Sequence, residues 1–398
     1  MTRLIAIVFA LVFGNSAVAQ GTDFSALENR LGRYVEDGEL PGGVVLVRQG
    51  QETLFAHAFG YRDVEAADPM ELGDQFRIAS QTKLIVSVGI MMLIEEGALT
   101  LETPLASIFP EWAEVQVGTE EGLVPLDRPI VIRDLLSHSS GIGYGFTDVW
   151  ADTGLTAWYF ADDTRPMRES IRVMATMPLN HQPGASWTYG YNTDILGALI
   201  TELTDQSLSA FLRERILLPL GMMDTQFFLS FEEAENLAVV YSRTDDLTLV
   251  RAPDPGGPVG QGHYVDGPQL VESGGAGLVS SAEDYVTLLD MLRADGVHDG
   301  QRLLNAETVA LMAESVVNGA APPWHPVDTL SFGLGHELSS GRPGGRPAGS
   351  LGWGGAYHSV YWIDPVNDLS VVYLTQVFPS GDLNDQAVVE QMLYEALK

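Results

Sequence analysis

Apolar positions recur along the chain with two different periods, and these sketch its elements. From Phe24 to Asp37, Leu27, Leu31 and Tyr34 repeat at helical spacing, with charged residues on the opposite face, which predicts an amphipathic helix. Gly43–Arg48 and Thr53–Phe59 are β-rich runs on either side of Gly50-Gln51-Glu52, the pattern of a hairpin. Ser80–Glu96 is almost wholly apolar after its first turn and stops at Gly97. A helix that is apolar on all sides is a buried one. Helical patterns follow at Ile132–Leu136, Ile171–Met177, Thr193–Leu203, Leu208–Leu217, Ser281–Leu292 and Ala306–Glu314. Near the end, Ser359–Ile363 and Leu369–Thr375 flank the turn Asp364-Pro365-Val366-Asn367-Asp368, a second antiparallel pair, and Leu383–Leu397 closes the chain as a helix with an apolar stripe.

Strands thus gather at both ends of the chain and helices fill its middle. The pattern predicts an α+β architecture: an antiparallel sheet built from both chain ends, flanked by the first and last helices, with a mainly helical subdomain inserted between its strands. The α/β part is expected over about residues 20–105 and 270–398, and the helical part over about 106–269. Ser80 then opens the central helix at the junction of the two parts, where ligand pockets tend to lie. The Gly/Pro-rich stretches Pro253–Gly262 and Gly341–Gly349 read as loops.

Composition narrows the setting. Arg3, the apolar run Leu4–Phe13 and the small-x-small site Ala17-Val18-Ala19 have the layout of a signal peptide, expected over residues 1–19. The apolar run is too short to span a bilayer. The mature domain would cover 20–398 in the periplasm or outside the cell, with no membrane insertion after signal removal. No cysteine is present, so a lipoprotein anchor, disulfides and thiolate chemistry are excluded. A formal net charge of −32 argues against nucleic acid and anionic lipid surfaces as partners. The eight histidines show no H-x-H, H-x-x-H or H-x-x-x-H spacing, and no phosphate-binding loop precedes a helix, so neither a metal nor a cofactor is expected. A small-molecule substrate is left as the expected partner, and nothing specifies an assembly beyond a monomer or weak dimer.

Lysine usage points to the chemistry. The chain has two lysines, Lys83 and the last residue Lys398, against nineteen arginines. Arginine does not release its proton in a protein, whereas a buried lysine can titrate. Lys83 follows Ser80 by three residues, the S-x-x-K pattern of serine acyl-transfer enzymes. On a helix the two share a face. A serine at a helix start is also a common N-cap, a role that competes for the same oxygen.

Ser80-Gln81-Thr82-Lys83 resembles the first motif of the serine β-lactamase and penicillin-binding-protein superfamily. Further blocks in order carry the resemblance over nearly the whole mature chain. They are Leu135-Leu136-Ser137-His138-Ser139-Ser140-Gly141, Pro183-Gly184 leading to Trp187 and Tyr189, Pro219-Leu220-Gly221-Met222, Gly274–Ser280, and Trp353-Gly354-Gly355 just before a strand. The chain is most similar to the class C β-lactamase-related esterases, the family VIII carboxylesterases and their relatives. The resemblance implies the β-lactamase/transpeptidase-like fold.

Two positions depart from the β-lactamase pattern. Class C enzymes carry Y-x-N at the second motif, whereas this chain has Tyr189-Gly190-Tyr191 with Asn192 one residue late. The third motif, K-T-G in β-lactamases and peptidases, has Trp353 in place of its cation. Losing that charge removes an ion-pair partner for a substrate carboxylate and adds an aromatic wall. Both changes favour a neutral or apolar acyl substrate.

By this resemblance Ser80 is the nucleophile that forms the acyl-enzyme, and Lys83 and Tyr189 handle its proton. A Lys83 ammonium would favour a Tyr189 phenolate. The backbone N–H groups of Ser80 and Ala356 would form the oxyanion hole. Gly354 and Gly355 would allow close backbone approach, and Trp353 and Tyr191 would line the substrate site. The expected activity is that of a serine esterase for short-chain or small acyl esters. The alternatives are a class C-like β-lactamase or D-amino-acid-type peptidase, with Arg342 or Arg346 supplying the missing cation, and an inactive relative that binds acyl or peptidoglycan fragments.

Other candidates are weaker. Ala348-Gly349-Ser350-Leu351-Gly352 imitates a nucleophile elbow, but such an elbow needs a strand before it and a helix after it. His138 is expected to support a buried turn, and Asp194 to orient a local turn. His358, two residues past Ala356, fits either a pocket wall or a strand start.

Overall fold

A computed structural model describes residues 22–144, 167–254, 260–320 and 329–398. The expected signal segment 1–19 lies outside the described residues, as does part of the loop expected over Pro253–Gly262. Helix α1 (Ser25–Glu36) precedes the hairpin β1 (Gly42–Gln49) and β2 (Glu52–Asp63) and a short β3 (Asp68–Pro69). The central helix α2 (Thr82–Glu95) leads into the inserted part, which includes α3 (Asn192–Thr204). The chain returns through α4 (Ala282–Arg293) to six strands: β4 (Val317–Ala320), β5 (Thr329–Phe332), β6 (Glu337–Leu338), β7 (Leu351–Gly355), β8 (Ser359–Asp364) and β9 (Leu369–Leu374). Helix α5 (Asp385–Ala396) ends it.

Among the described residues these strands form one antiparallel sheet in the order β4-β5-β6-β7-β8-β9-β1-β2-β3. The chain ends therefore meet where β1 pairs with β9, Val44 opposite Leu374 and Val47 opposite Val371. Alternation explains why these strands read as nearly continuous apolar runs. Val45, Val47, Trp362, Val371 and Tyr373 point into a core with Leu27, Leu31 and Tyr34 of α1 and Val389 and Leu393 of α5. Val44, Leu46, Tyr361, Val372 and Leu374 point into the main core, shared with α2 and α4. A sheet covered on both faces has no polar side. The architecture is the α+β arrangement expected, and no helix among the described residues is long and apolar enough to cross a membrane.

Three differences from the sequence pattern bear on the site. Ser80 does not open the helix; it sits in a 3-10 turn, Ala79–Gln81, ahead of α2. The cause is long-range: Gln75–Arg77 pairs with Val279–Ser281, so the chain leaves a strand and must bend at once into the helix. Ala79 absorbs the bend at φ +42°, a strained conformation for a residue with a side chain. Secondly, Trp353 stands before a strand, β8, as expected, but is itself part of one, β7, whose strand signature Gly354 and Gly355 weaken. Thirdly, the inserted part is not only helical. It carries the hairpins Gln116–Thr119 with Gly122–Pro125 and Tyr241–Arg243 with Leu249–Arg251, whose strands are too short to show alternation. The Leu208–Leu217 run breaks into an α-turn, Leu208–Leu212, and a π-turn, Arg213–Leu217.

Candidate active site

The site assembles where the Ala79–Gln81 turn meets β7. Ser80 and Lys83 are nearly buried, at 5% and 1% exposure. Lys83 Nζ donates to Ser80 Oγ at 3.2 Å and to the Gly275 carbonyl at 2.6 Å. The N-cap position of α2 falls to Gln81, with no side-chain cap bond. Ser80 therefore faces Lys83 rather than capping the helix.

Tyr189 joins them from the inserted part. Lys83 Nζ lies 4.7 Å from the Tyr189 ring centroid and 5.5 Å from that of Tyr144. The Leu135–Gly141 segment holds the tyrosine through its backbone: the His138 carbonyl accepts from Thr188 N at 2.8 Å, and that of Ser139 from Gly184 N at 2.7 Å. At Gly190 a Cβ would collide with the Ile142 carbonyl, so only glycine lets the two segments approach this closely. Aromatic rings pack around Tyr189, with centroids at 4.8 Å for His138, 5.7 Å for Trp187 and 5.3 Å for Trp353.

Trp353 does more than wall the site. Its indole Nε1 donates to Tyr189 Oη at 2.9 Å, so a neutral donor, not a cation, faces the tyrosine oxygen. An N–H aimed at that oxygen stabilises negative charge there. Further along β7, a Cβ at Gly355 would stand 2.5 Å from the Ile78 carbonyl and would also meet Ser359 Oγ. The missing side chain is what brings this strand against the Ser80 turn. Half-buried Ala356 follows at the strand's end. Gly355→Ala is expected to push the two backbones apart and to destabilise the fold by about 1–3 kcal/mol. Thermal unfolding checks this, and an unchanged Tm would show that the contact is dispensable.

Tyr191 is corrected. It is wholly buried and packs edge-on against Tyr144 at 4.7 Å, so it backs the site instead of lining a substrate pocket. The extra residue in the second motif explains this: Asn192 has become the first residue of α3. Its side chain enters a buried network, with Nδ2 2.9 Å from His138 Nδ1 and Oδ1 accepting from Ser140 Oγ at 2.5 Å. Burial, helped by the Lys83 charge, pushes the His138 pKa well below the usual value, so His138 is a neutral scaffold.

Asp194 orients the turn behind Lys83. Its Oδ1 accepts from Ser273 Oγ at 2.5 Å and from Gly275 N at 2.8 Å, and Gly275 presents its carbonyl to Lys83. Burial pushes the Asp194 carboxyl up, against the Lys83 charge and those two hydrogen bonds. The contribution of Gly275 was not anticipated, although the Gly274–Ser280 block had marked its neighbourhood.

Arg342 and Arg346 do not reach the site. Both pair with the buried Glu390 of α5, at 3.5 and 3.2 Å. Ser350 is fully buried and is followed by β7, not by a helix, so it is no nucleophile elbow. No group of three metal-ligating side chains occurs among the described residues. His358 turns away from the pocket: its Nε2 lies 2.6 Å from Asp385 Oδ1.

Comparison with known proteins identifies the family and the fold. The sequence model of the Beta-lactamase family matches residues 27–392. Esterase EstB of Burkholderia gladioli is 31% identical over 363 residues, covering 87% of this chain and 88% of that protein. The lovastatin esterase of Penicillium rubens is 30% identical over 384 residues, covering 88% and 92%. Among solved structures, EstCE1, described as a hydrolase with promiscuous acyltransferase activity, superposes with a TM-score of 0.80 at 25% identity. It covers 92% of this chain and 97% of its own.

Proposed function

The chain belongs to the Beta-lactamase family and is a serine hydrolase, and within that family we propose that it is an esterase for small, uncharged acyl esters. Ser80 Oγ attacks the ester carbonyl while the Lys83–Tyr189 pair takes its proton. The developing oxyanion is held by the N–H groups of Ser80 and Ala356. The C–O bond to the alcohol breaks, and the departing oxygen receives the proton. Water then attacks the acyl-enzyme by the same route and frees the acid and Ser80.

One observation carries the substrate class. Where a β-lactamase or peptidase presents a cation, Trp353 presents an indole already bonded to Tyr189, and the nearby arginines are tied to Glu390. Among the described residues a substrate carboxylate has no ion-pair partner on that side, while an apolar acyl group meets aromatic surface. The two esterases similar to this chain support the same reading. As part of this proposal the protein works outside the cytoplasm, on the strength of its N-terminal apolar run.

A fluorophosphonate probe tests the nucleophile. It is expected to form one adduct, located on the peptide containing Ser80; an unlabelled protein, or an adduct elsewhere, would defeat the proposal. Trp353→Phe tests the indole bond, since the ring remains and the N–H is lost. The expected result is about a tenfold fall in kcat/KM for a p-nitrophenyl ester. The fall should lie in kcat, with KM within about twofold, because the lost bond is to Tyr189 and not to the substrate. A fall confined to KM would mean that Trp353 acts by packing alone.

A further inference from the structure

The turn between β7 and β8 carries a side-chain hydrogen bond that the chemistry above does not use. His358 closes this turn, its N–H donating to the Gly355 carbonyl at 3.1 Å. It does so at φ +64°, a left-handed conformation that favours glycine. A histidine held there needs something to hold it. Its Nε2 meets Asp385 Oδ1 at 2.6 Å, and the carboxylate is fully buried at the first residue of α5. The other carboxylate oxygen accepts from Tyr373 Oη at 2.5 Å. Burial raises the Asp385 pKa, but the His358 and Tyr373 bonds more than reverse it and leave the carboxyl below its ordinary value.

The same turn is pinned through its backbone. Thr375 Oγ1 donates to the His358 carbonyl at 2.7 Å, and Val377 N to that of Tyr357 at 3.1 Å. At its other end, Gly355 lies against the Ile78 carbonyl, two residues before Ser80. Ala356 sits between these fixed points, and its N–H direction follows the turn's geometry. A small rotation of such a donor matters, because an oxyanion hole works only when aimed in advance.

We propose that His358 is a positioning residue for the oxyanion hole: its bond to Asp385 locks the Gly355–His358 turn and so aims the Ala356 N–H at the acyl oxygen of a substrate on Ser80. This rests on the acyl-transfer reading of the site. It ties the last helix of the chain to the catalytic turn, and it assigns the unfavourable φ of His358 to function rather than to folding.

Three substitutions separate the possibilities, each assayed for kcat and KM on a p-nitrophenyl ester and for binding of a boronic-acid analogue of the tetrahedral intermediate. His358→Gly removes the bond and relieves the strained φ; kcat and boronate affinity should fall together by about tenfold, with KM within about twofold and Tm above that of His358→Ala. His358→Ala loses the bond and keeps the strain, so it should show the same fall in kcat with a lower Tm. His358→Gln places an amide donor near the position of Nε2 and should recover most of kcat. Wild-type kcat and boronate affinity in His358→Gly would overturn the proposal, as would a loss confined to KM. Ser80→Ala, run in parallel, keeps the two readings apart. If it retains ester turnover, the acyl-enzyme reading fails; if it is inactive while His358→Gly is normal, only the positioning role fails.

Discussion

Lys83→Arg is expected to lower kcat by roughly 10²–10⁴-fold although the positive charge is kept. Lys83 Nζ sits in a nearly closed space, 3.2 Å from Ser80 Oγ and 2.6 Å from the Gly275 carbonyl. A guanidinium is planar and wider than an ammonium and cannot give both bonds from the same point. It also does not release a proton at working pH, so it cannot relay one from the serine. The loss should appear in the acylation burst with a p-nitrophenyl ester, on protein shown by circular dichroism to be folded. A variant that kept more than a tenth of wild-type kcat would mean that Lys83 supplies charge alone, and that the proton leaves by another path.

Tyr189→Phe should cost about 10²–10⁴-fold in kcat while leaving the fold nearly untouched. The ring keeps its packing against His138, Trp187 and Trp353, so the change removes one oxygen and little else. Part of the loss in stability will come from Trp353 Nε1, which would then lack its acceptor, a penalty of about 1–3 kcal/mol if water does not replace it. The combination is diagnostic. Loss of kcat with a preserved structure assigns the oxygen to proton transfer. Loss of stability with near-normal kcat would reduce Tyr189 to an aromatic spacer. The double variant Lys83→Arg, Tyr189→Phe should be little worse than either alone, because groups that act as one unit do not lose activity additively.

Much of this arrangement was legible in local sequence. The strands at the two chain ends announced themselves because both sheet faces are buried, so Val44–Val47 and Val371–Leu374 carry no polar interruption. The Ser80–Lys83 pair was legible through a scarcity, since a chain almost without lysine keeps one three residues after a serine. What escaped depends on distant pairing. The sharp bend at Ala79 follows from Gln75–Arg77 pairing some 200 residues away with Val279–Ser281, which no local pattern reports. Tyr191 and Asn192 carry residue types suited to a pocket, yet the fold turns both inward, Tyr191 against Tyr144 and Asn192 against His138. Trp353 was legible as a wall but not as a donor, because its partner Tyr189 is 164 residues distant in sequence. His358 and Asp385 look ordinary one at a time, and only the fold places a buried carboxylate beside a left-handed histidine.

The most direct test of the central claim compares kcat/KM for a short-chain p-nitrophenyl ester with that for a chromogenic cephalosporin. Both substrates are run on one preparation, with Ser80→Ala as the blank. A strong preference for the ester, abolished in Ser80→Ala, is the predicted result and follows from an indole standing where a carboxylate-binding cation would be. A preference for the cephalosporin would contradict it, and would require a cation to reach the site that the Glu390-bound arginines do not supply.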